Sequence, residues 1–396
     1  MSAWLLPESV ADVLPSEARR IEELRRIVLD HFRVYGYELV MPPLLEYTES
    51  LLSQADQSLD LQTFKLLDQA SGRMLGVRAD TTPQVARIDA HILNRAGATR
   101  LCYCGPVLHT HARGLHTTRE PLQCGAELYG CAGIQADLEI ISLASEVLGL
   151  AGLNQYRLAF SHAGLVPALL GDVSVKKATL GHIHSALAFK DEPALRSLLV
   201  GLPQATFEAI SKVPRLYGRA GTVLKQAREQ LPQTDRVVEV LNELKTVSQA
   251  LEKNSPGGLE VMLDLADIAS FDYHSGLIFS AYTEGCPNPV LRGGRYDDVG
   301  SVYGRARPAT GFSVDLRELV ALTRVKAEPL SAIRAPWGSD PLLLAKIREL
   351  RLQGEVVVQS LPETQTKEEE FICDRVLVAD ENGGWTVVPD SHTGDN

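Results

Sequence analysis

The spacing of apolar residues predicts elements along most of the chain. Ile21, Leu24, Ile27, Val28, His31 and Phe32 recur at helical spacing, with Pro15 ahead and Gly36 behind, so a helix is predicted over 16–35. Residues 37–46, YELVMPPLLE, read as a short strand broken by Pro42 and Pro43, which confine it to a sheet edge or an interface. A hairpin is predicted from 64–68 and 75–78, turning through 70–73. A helix follows from about Pro83, with Thr82 as a cap. Residues 137–151 have the amphipathic period of a helix and 156–160 read as a strand. From Val175 to about Ser255 only helical spacing is found, as in Leu195, Leu198 and Leu199 or Val237, Leu241 and Leu244, which predicts an inserted helical subdomain closed by 254–258. Strands resume at 259–265 and 268–282. Beyond Val325 a helix (342–352) and strands (355–361, 375–379, 385–389) predict a small domain, with 391–396 as a disordered tail.

The most informative stretch is 100–130, RLCYCGPVLHTHARGLHTTREPLQCGAELYG. Residues 101–108 are apolar enough for a core strand, 109–118 form a polar loop, and 121–129 return with strict alternation. Leu122, Cys124, Ala126 and Leu128 share one face; Gln123, Gly125, Glu127 and Tyr129 share the other. An amide and a carboxylate projecting the same way are suited to holding an ammonium group or an imidazole.

Composition narrows the classes. With 396 residues the chain can bury a large core in more than one domain, and 45% hydrophobic with 22% charged residues is ordinary for a soluble globular protein. A net charge of −11 argues against tight non-specific nucleic-acid binding. No apolar run approaches a membrane span and no secretory leader is recognisable. The six cysteines (102, 104, 124, 131, 286, 373) lack paired C-x2-C elements, which favours free thiols of a cytoplasmic protein over a metal site. His109, His111 and His116 have no nearby cysteine or acid to complete a tetrahedral set, so no metal or cofactor is expected.

The 100–130 stretch resembles the motif 2 hairpin of class II aminoacyl-tRNA synthetases in its histidyl form. The family's Gln-x-Gly-x-Glu is intact as Gln123, Gly125 and Glu127, whereas Leu108-His109-Thr110-His111 stands where Phe-Arg-x-Glu is expected. Pro43 falls on the motif 1 proline of the family's dimer interface. Asp80 and Thr82 stand where an Arg-Pro-Glu-Gly-Thr sequence holds the substrate amino group; capping the helix is the competing reading of this pair. SFDYH (270–274) resembles the Arg-Gly-Leu-Asp-Tyr-Tyr block with Ala269 in place of its catalytic arginine, and GGRYDD (293–298) is retained. In the motif 3 resemblance, 310–319, Glu318 replaces the arginine beneath the adenine, and Arg317 lies one position early, about 100° around a helix.

The resemblance implies an α+β class II synthetase-like antiparallel sheet flanked by helices over 1–325, with a helical insertion at about 175–256 and a small α/β domain at 326–396. It further implies a histidine pocket of Asp80, Thr82, Gln123, Glu127, Tyr273 and Tyr296. The former ATP-site positions, His109, His111, Ala269 and Glu318, are degenerate. From Lys326 onward seven basic residues face thirteen acidic ones, poorly suited to an anticodon. Together these features resemble the regulatory subunits of ATP phosphoribosyltransferase. That likeness implies a non-catalytic homodimer in a hetero-oligomer with a short catalytic subunit, histidine as effector, and no tRNA or membrane partner. An active or divergent histidyl-tRNA synthetase is the alternative.

Overall fold

In the computed structural model the strands of the main sheets are, in chain order, β1 (Glu38–Leu39), β2 (Leu45–Tyr47), β3 (Lys65–Leu67), β4 (Met74–Val77), β5 (Thr99–Pro106), β6 (Leu122–Tyr129), β7 (Tyr156–His162), β8 (Tyr217–Arg219), β9 (Leu259–Asp264), β10 (Leu277–Tyr282), β11 (Leu291–Arg295) and β12 (Ala309–Asp315). The structure describes residues 4–52, 57–112, 114, 117–254, 259–268, 274–323, 329–362, 371–381 and 383–390. The chain divides into two compact units, residues 1–12 with 21–324 and residues 13–20 with 325–396.

The first unit is built on a nine-stranded sheet in the order β1-β5-β6-β12-β11-β10-β7-β9-β8. Its central pairs are antiparallel, β1–β5 and β7–β9 are parallel, and β2-β4-β3 form a separate small sheet. The predicted hairpin is β5–β6, with Tyr103 opposite Gly125 and Leu101 opposite Glu127. Both faces of β6 are covered from Cys124 onward, so the polar face of the alternation lines an interior cavity rather than meeting water. The Ile134–Leu150 helix packs Ile140, Ile141, Leu143 and Val147 into the core.

The prolines split the predicted 37–46 strand into β1 and β2, neither able to continue through Pro42 and Pro43. Five helices of the insertion are Lys177–Ala188, Glu192–Leu198, Gln204–Lys212, Ala220–Gln230 and Asp235–Asn254. Contrary to the expectation of an all-helical insertion, β8 lies within it and pairs with β9; three residues are too few to show alternation. Among the described residues the predicted 268–282 strand is realised as β10, from Leu277; Ala269 and Tyr273 lie outside the described residues.

The second unit carries β13 (Leu330–Ala335), β14 (Val357–Gln359), β15 (Phe371–Ala379) and β16 (Trp385–Pro389) in the order β14-β13-β15-β16. The Pro341–Leu352 helix covers this sheet through Leu343, Ile347 and Leu350, which cluster with Ile333 and Leu377. The expected tail, 391–396, lies outside the described residues. Among the described residues no helix is long and apolar enough to cross a membrane.

Candidate functional site

β6 presents Glu127 to a cavity of about 160 Å³ whose wall also includes Asp80, Thr82, Gln123, His109 and Tyr296. The carboxylate is 1% exposed and meets three hydroxyl donors. Thr82 Oγ1 donates to its Oε1 at 3.0 Å, Tyr103 Oη donates to the same oxygen at 3.2 Å, and Tyr296 Oη donates to Oε2. Burial pushes the Glu127 carboxyl up to about 8 against the pull of these donors, and the negative Asp80 nearby adds to the rise. A cationic guest would reverse that balance by favouring the ionised form.

The local sequence explains why this geometry exists. Gly311 on β12 lies directly opposite Glu127, and a methyl group there would collide with the carboxylate. Gly125, in the middle of the Gln-x-Gly-x-Glu pattern, leaves room for Tyr103 to cross the strand; an added Cβ would lie 2.6 Å from its phenol oxygen. The pattern therefore encodes two polar ligands and the gap between them.

Asp80 and Gln123 form the second polar group. Gln123 Nε2 donates to Asp80 Oδ1 at 2.8 Å and Gln123 Oε1 accepts from the Thr81 amide at 2.9 Å, which fixes the orientation of the side-chain amide. Asp80 Oδ1 also accepts the Thr82 amide at 3.1 Å, so this acid does support the start of the Thr82–Arg87 helix. Thr82 does not act as the expected cap: Thr81 holds the cap position, and the Thr82 hydroxyl turns to Glu127. The capping reading of the pair is thus met by Asp80 and not by Thr82.

The two positions at which the resemblance has arginines, His109 and Glu318, both line the same cavity. His109 lines the cavity and is 1% exposed, with Nε2 2.9 Å from the Ala79 carbonyl oxygen. His109 is thus enclosed although it opens the predicted polar loop, because the backbone of 107–109 is tied down by Pro121, Arg78 and Arg119. His111 is exposed and lies outside the cavity wall. Glu318 is in the wall, its Oε1 3.4 Å from Cys286 Sγ. Arg317 turns away and donates to the Glu120 and Ala11 carbonyls at 3.0 and 3.3 Å. Pro43 is exposed, and its carbonyl accepts from Gln84 Nε2 at 2.8 Å. Among the described residues no three His, Cys, Asp or Glu side chains are grouped to hold a metal ion.

Tyr103, which bonds to Glu127, and two wall residues were not singled out by sequence reasoning. Tyr103 could have been found from hairpin register, which places it between Gln123 and Glu127. His274 lines the cavity against Gly294, and Arg292 comes from the neighbouring β11; both depend on tertiary strand order.

Comparison with known proteins gives consistent likenesses. The histidyl-tRNA synthetase family model matches residues 9–319, and that of the ATP phosphoribosyltransferase subunit HisZ C-terminal domain matches 330–388. An ATP phosphoribosyltransferase regulatory subunit of Ralstonia nicotianae is 56% identical, over 98% of this chain and 99% of its own. The corresponding protein of Paraburkholderia phymatum is 55% identical, over 98% and 99%. Among solved structures, an ATP phosphoribosyltransferase regulatory subunit/histidyl-tRNA synthetase from Bacillus halodurans superposes with a TM-score of 0.79 at 27% identity, covering 93% of this chain and 95% of that one. Histidyl-tRNA synthetase from Nostoc, at 17% identity and a TM-score of 0.76, shares the fold.

Proposed function

The chain belongs to the family of ATP phosphoribosyltransferase regulatory subunits, on a histidyl-tRNA synthetase-like fold, and from that premise we propose that its cavity binds histidine and transmits the occupancy to a separate catalytic subunit. The family's part in histidine biosynthesis is regulatory and non-catalytic. The observation that carries the reading is a single cavity wall that holds Asp80, Gln123 and Glu127 together with His109 and Glu318 at positions where the resemblance has arginines. Asp80 and Gln123 offer acceptors to an ammonium, and Glu127, Thr82 and Tyr296 offer a buried polar seat to an imidazole. Tyr273, outside the described residues, is proposed to complete that seat.

Activation of an amino acid on ATP needs preorganised cations around the reacting phosphate, and losing one such group typically costs about 10²–10³ in rate. Here a histidine and a glutamate occupy two of the arginine positions of the resemblance, and histidine has no bidentate fork. We further propose a homodimer through the Pro43 turn, with Met41 and Leu44 exposed beside it, and no tRNA partner for a chain of net charge −11. Histidine would act by binding two conformers of the complex unequally, and a coupling of roughly 1–3 kcal/mol suffices for feedback inhibition.

The test is reconstitution with a short-form catalytic subunit, following product with and without histidine. Activity that needs both chains and falls with histidine supports the reading. Histidine-dependent ATP–pyrophosphate exchange by this chain alone would overturn it.

A further inference from the structure

The segment RADTTPQ, residues 78–84, is two-sided. Asp80 and Thr82 face the cavity and join Gln123 and Glu127. Arg78 and Gln84, which bracket them, hold the Pro42–Pro43 turn instead. Arg78 Nη1 donates to the Pro42 carbonyl at 3.0 Å and Gln84 Nε2 donates to the Pro43 carbonyl at 2.8 Å. Both side chains are almost wholly buried, at 5% and 1% exposure. Arg78 also donates from Nε to the Pro106 carbonyl at the end of β5, at 2.8 Å, and its guanidinium occupies the space beside Gly105, the residue opposite Gln123. Gln84 shares Glu46 Oε1 with Arg87, at 2.8 and 2.5 Å.

We propose that Arg78 and Gln84 are positioning residues that carry occupancy of the cavity to the Pro42–Pro43 turn. The proposal rests on the histidine-binding reading and names the first step of its regulation. Prolines bring no N–H, so the turn itself cannot be fixed by its own ladder bonds. Its two carbonyls are held by these two side chains. A ligand ammonium drawn to Asp80 competes with the Gln123 and Thr82 bonds that now set the position of 78–84. Close packing leaves such a segment little room to deform, so a shift at Asp80 is passed to both neighbours. Around the turn Leu39, Met41, Leu44 and Leu45 are exposed, which places the response on an accessible apolar surface.

The experiment is hydrogen exchange on the full chain with and without histidine, read in peptides spanning 38–51 and 122–129, with histidine affinity measured by calorimetry. In the wild type, histidine is expected to slow exchange in both peptides, by about fivefold or more at 38–51. In Gln84→Met and Arg78→Lys, affinity is expected to stay within about threefold and 122–129 to stay protected, while the response at 38–51 is lost. Either variant suffices if the other folds poorly. Histidine binding with no response at 38–51 in the wild type, or with the same response in both variants, overturns the relay and leaves the pocket reading standing. No histidine binding at all overturns the pocket reading, and the relay with it.

Discussion

Tyr296 donates its phenolic hydrogen to Glu127 Oε2 inside the cavity, and the phenol also approaches Tyr129 Oη at 3.4 Å. The two residues lie 169 positions apart, joined through β6, β12 and β11. Burial raises Tyr296 well above the ordinary tyrosine range and Glu127 to about 8, so at neutral pH the ligand-free pair is predominantly neutral.

That state has a stability consequence of definite sign. The folded carboxyl near 8 lies above its ordinary 4.5, so the stability it contributes is fully present below about 4.5 and is lost as pH rises through 8. The ligand-free wild type is expected to lose up to about 1.4 kcal/mol per pH unit across this window relative to Glu127→Gln. Urea unfolding at about pH 5.5, 7 and 8.5 measures it; parallel curves for the two proteins would refute the buried neutral carboxyl.

Gly311 and Gly181 make a paired test of the glycine account. Alanine at Gly311 must displace Glu127, which predicts a destabilisation of about 1–3 kcal/mol from overpacking and loss of histidine binding. Gly181 lies within the Lys177–Ala188 helix with open space around it, so Gly181→Ala is expected to stabilise by about 0.5–1 kcal/mol. Thermal melts of both variants decide; equal shifts would show that the space at Gly311 is not what matters.

The β5–β6 hairpin was legible because alternation and turn residues are local signals, and the Gln-x-Gly-x-Glu pattern carried its chemistry within five residues. Asp80 and Thr82 were legible as a pair, but not their division of labour. That division depends on Gln123 and Glu127 arriving from 43 and 45 residues away. The burial of His109 was not legible, since nothing in HTHARG shows that Ala79 and Arg119 will enclose it. β8 was missed because a three-residue strand in a helical stretch has no period of its own.

Asp89 and Arg307 form a buried pair, 1% and 7% exposed, with Arg307 Nη1 bound to both carboxylate oxygens at 2.8 and 3.0 Å. Asp89 lies in the π-helical turn Ile88–Leu93 that continues from the Thr82–Arg87 helix, so the pair pins the element that starts at the cavity just past the junction of its two parts. Asp89→Ala leaves a buried guanidinium without its anion and is expected to cost about 3–5 kcal/mol. Adding Arg307→Met should recover part of that loss, because the uncompensated charge is removed. A chemical-denaturation double-mutant cycle measures the coupling; additive losses would mean the pair contributes nothing as a pair.

Histidine binding is expected to release a proton. The ligand brings a positive ammonium toward Asp80 and an imidazole toward Glu127, and either an opposite charge or an N–H donor favours the carboxylate form. Glu127 is protonated in the empty cavity below about 8 and ionises as the ligand enters, so up to one proton leaves per histidine bound. By linkage, affinity then rises with pH by as much as about tenfold per unit below 8 and levels off above it. The histidine imidazole titrates near 6.5 and adds its own pH dependence, which Glu127→Gln retains while losing the contribution of the carboxyl. Calorimetry at about pH 7 in two buffers of different ionisation heat gives the proton count directly. A wild type that releases no more protons than Glu127→Gln would show that Glu127 keeps its charge state on binding.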